Sequence, residues 1–130
     1  MNNFEFENVI KEESASENLR ETLRETMFHI VLINTVKRGL HVTTDVLEAM
    51  QDAFMDFVYS DNVRIEKFSN NDKSGNALFE FGTEDDSKWI HQAILLCNYL
   101  NEENIFIEDF IGNGFCCRNG DNHFRITHEN

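Results

Sequence analysis

Proline is absent from this chain of 130 residues, so no X-Pro bond, polyproline segment or proline-marked linker divides it. Bases are scarce: 11 Lys and Arg stand against 24 Asp and Glu, for a formal charge of −13. That balance disfavours binding of the general surface to phosphate backbones or anionic lipids, so direct contact with nucleic acid or a membrane is not expected. Cysteine is limited to Cys97, Cys116 and Cys117, an odd number with two adjacent. Disulfide stapling is therefore not expected, and a reducing compartment fits best. Long hydrophobic runs are missing too. The most apolar stretch, Met27 to Val36, is about half the length of a bilayer span and is interrupted by His29 and Asn34. The opening residues, Met1-Asn2-Asn3-Phe4-Glu5, lack the basic-then-apolar order of a signal peptide. Together these features predict a cytoplasmic protein.

What is present suffices for one hydrophobic core. Hydrophobic residues make up 41% of the chain and include 12 Phe, which bring large buried area at low side-chain entropy cost. The length suits a single domain over 1–130, with 1–13 as a flexible arm or a short edge strand around Phe4, Phe6 and Val9. Sixteen Asn, the many Phe, Glu and Ile, and the missing proline resemble translation from an AT-rich genome, such as that of many phages.

Periodicity and capping signals set the element order. Ser14 and Glu17 have capping-box spacing, and Leu19, Leu23, Met27, Ile30 and Val31 follow at helical intervals. Helix 1 is expected over about 15–38, its second half mostly buried, with a stop at Gly39. Thr43-Thr44-Asp45 opens helix 2, with Asp45 and Glu48 again at capping-box spacing. Over about 45–59, Val46, Leu47, Met50, Ala53, Phe54, Phe57 and Val58 fall within one arc at 100° per residue. Val63–Ser69 and Ala77–Thr83 read as a hairpin around the turn-rich segment 70–76. Glu84-Asp85-Asp86-Ser87 opens helix 3, whose expected buried stripe is Trp89, Ile90, Ala93, Ile94, Cys97 and Leu100. Strands at 105–111, 115–118 and 123–127 complete a meander, with turns at Gly112-Asn113-Gly114 and Asn119-Gly120-Asp121-Asn122. The order αα-ββ-α-βββ predicts an α+β fold: one mainly antiparallel sheet with helices packed on one face, its strand order left open.

Most chemical motifs fail on spacing. Cys116, Cys117, His123 and His128 invite zinc, but adjacent strand residues point to opposite faces, and there is no Cys-x-x-Cys knuckle. Gly112-x-Gly114 lacks the third glycine and following helix of a dinucleotide fingerprint, and no phosphate-binding loop or EF-hand occurs. Cys97 falls on a buried stripe, while His41 and His91 are the histidines expected at the surface, in no recognisable catalytic motif. No cofactor or metal is implied.

Helix 2 is different. Asp45, Glu48, Asp52 and Asp56 occupy an arc of about 80° opposite its apolar face. No Lys or Arg lies between Arg38 and Arg64, whereas helix 1 mixes Arg20 and Arg24 with Glu21 and Glu25. Successive i,i+4 carboxylates sit about 6 Å apart along the axis, similar to neighbouring phosphates on a nucleic-acid strand. Two readings follow. One is a solubilising face on a generally acidic protein. The other is a protein-binding face that engages a basic partner, such as a nucleic-acid-processing protein, as a phage or mobile-element inhibitor acting as a nucleic-acid mimic would. Other classes are a small enzyme or ligand-binding domain around Cys116, Cys117 and His123, and an oligomeric accessory subunit.

Overall fold

The structure is a computed structural model that describes residues 15–69 and 75–130. Helix α1 (Ala15–Lys37) stops where Gly39 takes φ +82° and its N–H donates to the Val36 carbonyl at 3.0 Å. Helix α2 (Thr44–Tyr59) starts at Thr43, whose backbone is extended and whose hydroxyl accepts the Val46 N–H at 3.2 Å. The expected Asp45–Glu48 capping box is therefore replaced by a threonine cap two residues earlier. Asp45 already belongs to the first turn, and both carboxylates remain at the surface.

Strand β1 (Asn62–Phe68) pairs with β2 (Ala77–Glu80), and helix α3 (Asp86–Glu102) follows, capped by Asp85. Strands β3 (Asp109–Ile111), β4 (Gly114–Asn119) and β5 (Asn122–Glu129) form the meander. The five strands make one antiparallel sheet in the order β2-β1-β5-β4-β3, so the last strand inserts beside the first. This is the expected αα-ββ-α-βββ α+β domain. Gly120, at φ +64°, takes the first central position of the two-residue β4–β5 turn, where an L side chain would be strained.

Alternation along the strands separates the faces. Val63, Ile65, Phe79, Phe115, Cys117, Phe124 and Ile126 turn inward and are buried under the helices. Arg64, Cys116, Arg118, His123 and Arg125 lie on the other face, where the register sets Cys116 opposite Arg125 and Arg118 opposite His123. Against the inner face, α2 lays Phe54 and Phe57 on Phe115, with ring centroids 5.8 and 5.5 Å away. Two polar side chains fasten α1 to the end of α3 and the chain that follows it. Asn34 Nδ2 donates to the carbonyls of Leu100 (3.2 Å) and Ile105 (3.0 Å). The buried Thr35 hydroxyl donates to Val31 O and accepts the Ile107 N–H.

Several boundaries differ from expectation for identifiable reasons. The second half of α1 is not mostly buried: Met27, Val31 and Thr35 are, but Ile33 is 52% and Val36 57% exposed. A helix flanked by two others buries a stripe rather than its circumference. The α3 stripe is rotated, with Leu96 buried in place of Ile94, which is 47% exposed, and with Ile90 only half-buried. The expected strand from Ile105 pairs with β4 only from the Glu108 N–H onward, and β3 itself begins at Asp109. Residues 105–107 enter the core as irregular chain because Leu100 O and Thr35 Oγ1 take the N–H groups of Ile105 and Ile107. Similarly β2 ends at Glu80, since Phe81 and Gly82 both donate to the Asp61 carbonyl. The proposed strand around Phe4, Phe6 and Val9, Ser14 of the first capping box, loop residues 70–74 and the Val58 side chain lie outside the described residues.

Gly114 faces Thr127 across the sheet, and a Cβ there would overlap the Ile126 carbonyl. Gly114→Ala should cost about 3 kcal/mol of unfolding free energy, at the upper end of overpacking penalties. Gly112→Ala, facing open space, should stay within about 0.5 kcal/mol. Urea denaturation of both variants distinguishes the two positions.

Candidate functional site

The apolar arc of α2 anchors the helix. Met50, Phe54 and Phe57 are buried, and Val46, Leu47 and Ala53 are half-buried, as the sequence pattern requires. Burying three such side chains contributes roughly 1.5–3 kcal/mol each, far more than any surface charge effect on the helix. Opposite them Asp45, Glu48, Asp52 and Asp56 are all exposed. Among the described residues the ion pairs are Arg20–Asp86 (2.8 Å), Arg64–Glu129 (3.0 Å) and Lys67–Glu103 (3.1 Å), none of them on α2. Asp45 sits in the first turn, where the helix dipole favours an anion. Asp56 lies near the other end, where it does not, and the last turn carries no base.

Two large side chains that the apolar arc leaves out also reach this surface. Met55 is 52% and Tyr59 64% exposed. Projected at 100° per residue, Tyr59 falls inside the acidic arc and Met55 at its edge. That projection was available from the sequence and would have found them. Tyr59 is held from α1: Arg24 Nη1 donates to its hydroxyl at 3.0 Å, and the guanidinium lies 4.2 Å from its ring centre. Met55 borders a cleft of about 270 Å³ between α1 and α2, with Phe28 and Phe54 inside it and Glu25, Arg24 and Gln51 around them.

The cysteine–histidine alternative is spread across the sheet. Cys117 is wholly buried inward, whereas Cys116 is half-buried on the opposite face. His123 shares the outer face with Cys116 but is paired across from Arg118, and its ring packs edge-on to Phe68 at 6.2 Å. Burial pushes the Cys97 and Cys117 thiols up to about 11. The Cys116 thiol is also raised, by burial and then by Asp109 and Glu108. Such thiols are weak nucleophiles near neutrality, because the thiolate is the reactive form. Among the described residues no three His, Cys, Asp or Glu gather in a metal-holding group. His91, exposed as expected, lines a separate cleft of about 560 Å³ with Asp61, Glu80 and Lys88. His41 is exposed just before α2.

No family model, curated protein or solved structure matches this chain. Among the described residues, no helix is long and apolar enough to cross a membrane.

Replacing Glu48, Asp52 and Asp56 together by Gln, Asn and Asn removes two i,i+4 repulsions and one anion near the helix C-terminus. The triple variant should gain about 0.5–1 kcal/mol, read from the urea midpoint at low salt, with the gain shrinking as salt is added. For the thiols, the unfolded chain releases its protons near pH 9, while the folded core holds those of Cys97 and Cys117 to about 11. Stability therefore falls as pH rises through that window, by up to about 2–3 kcal/mol per thiol. A Cys97→Ala/Cys117→Ala variant, less stable throughout, should show a shallower decline in its urea midpoint over the same range.

Proposed function

We propose that this protein is a non-catalytic, cytoplasmic protein-binding module that engages a basic, nucleic-acid-processing partner through an acidic surface centred on α2. The observation that carries the reading is the row Asp45, Glu48, Asp52 and Asp56, exposed and free of ion pairs among the described residues. Like charges three and four residues apart destabilise a helix, and a purely solubilising face is better served by mixed signs. The row is also rigidly presented, because Phe54 and Phe57 tie the helix to β4 of the sheet. Preorganisation lowers the entropy cost of binding. Carboxylates about 6 Å apart along the axis offer a basic groove a spacing close to that of the phosphates it normally holds. An inhibitor or modulator of a phage or mobile element would use such a row to occupy the groove in place of nucleic acid.

The test is affinity capture from host extract with the native protein and with the Asp45→Asn/Glu48→Gln/Asp52→Asn/Asp56→Asn variant. The native protein should retain a basic nucleic-acid-binding protein, progressively less as salt is raised. The variant should lose it while keeping its fold by circular dichroism. Equal retention of the same partner by both proteins would refute the role given to α2.

A further inference from the structure

We infer that the α1–α2 cleft beside the acidic row is the socket for one apolar side chain of a Lys/Arg-rich amphipathic segment on the partner. This inference rests on the protein-binding reading above and adds the chemistry of what is bound. The cleft, at about 270 Å³, lies below the roughly 300–1,000 Å³ of small-molecule pockets and suits one large side chain. Its inner surface is aromatic: Phe28 and Phe54 meet edge-to-face with centroids 5.9 Å apart. Met55, half-exposed on its border, is an unbranched side chain that adapts to different apolar shapes.

Charge decides the occupant. On α2, Asp52 and Glu48 are exposed one and two turns N-terminal to Met55, beside the cleft and not in its lining, and on α1 Glu25 lines it. The single cation of the lining, Arg24, is turned onto the Tyr59 ring and hydroxyl. An apolar socket bordered by acids accepts an apolar residue with cations on either side, and it repels a nucleic-acid strand. Tyr59, held within the acidic arc by Arg24, extends the same surface with a rigid aromatic of the kind enriched at interface centres. A helical segment would lay its apolar stripe over the cleft and its Lys and Arg along Glu48, Asp52 and Asp56.

The experiment titrates the full chain with two synthetic peptides, one a Lys-rich amphipathic helix bearing Leu at i, i+3 and i+7, the other with those Leu changed to Ser. Binding is read by fluorescence anisotropy at two salt concentrations and by the Met55 methyl resonance. The Leu peptide should bind the native protein and shift the Met55 methyl, and the Ser peptide should bind roughly tenfold more weakly. Met55→Ser, at an exposed position, should weaken the Leu peptide by a similar factor while leaving the salt dependence unchanged. Glu48→Gln/Asp52→Asn should instead flatten the salt dependence.

If Met55→Ser binds as tightly as native while the charge variant does not, the socket is wrong and the acidic face survives. If neither variant changes binding, or the Leu peptide does not bind, the socket proposal fails; host capture still decides the α2 reading separately. A concentration-dependent dimer abolished by Met55→Ser would assign the cleft to a second copy and overturn the proposal.

Discussion

Phe115 is wholly buried near the start of β4, and the rings of Phe54 and Phe57 close on it from α2. This three-ring contact joins α2 to the sheet, as Tyr99 against Phe79 joins α3 to β2. It requires β4 to turn Phe115 inward, which in turn places Cys116 and Arg118 on the opposite face. It also requires α2 to present the 50–54–57 side of its circumference, which places the four carboxylates outward. One aromatic contact therefore determines both the orientation of the acidic row and the separation of Cys116 from Cys117. Phe28 of α1 then meets Phe54 edge-to-face, so the floor of the α1–α2 cleft is continuous with the core.

The energetics explain how α2 tolerates its charge. Three large buried side chains hold the helix with several kcal/mol, and like-charge pairs at i,i+4 cost only about 0.2–0.5 kcal/mol each. A helix so firmly packed can carry an unfavourable surface without unravelling. Where the core allows compensation elsewhere, the protein uses it. Lys67 donates to both oxygens of Glu103, and Arg20 pairs with Asp86 while lying 5.1 Å from the Trp89 ring centre. The absence of a matching cation on α2 thus contrasts with its neighbours, and it coincides with the exposed large hydrophobic residues of that helix, Met55 and Tyr59.

Element type was largely legible because hydrophobic period and end signals agreed. The arc of α2, the glycine after α1, the acids before α3 and the Gly120-Asp121 turn all specify local structure through backbone conformation or through contacts only a few residues apart. Two departures, in α3 and at 105–107, share one cause. Leu96 extends the stripe of Trp89, Ala93, Cys97 and Leu100 on one side and Ile90 and Ile94 extend it on the other, and the direction from which α1 and the sheet approach α3 selects Leu96. Ile105 to Ile107 look like a strand because they are apolar and extended. Their N–H groups instead found Leu100 O and Thr35 Oγ1, and the Thr35 partner lies over 70 residues away. The acidic row was readable from spacing alone; the cleft beside it needed two helices at once.

By itself the sequence determined the class of fold, the order of its elements, the excess of negative charge and its alignment on α2. Each follows from composition or from neighbours within a turn or two of the chain. Only the tertiary structure decided the strand order β2-β1-β5-β4-β3, the rotation of α3, which of the adjacent cysteines faces the core, and the socket between α1 and α2. Those depend on which distant surfaces meet. Hydrophobic burial is non-directional, so a pattern specifies that a face must be covered but not what covers it.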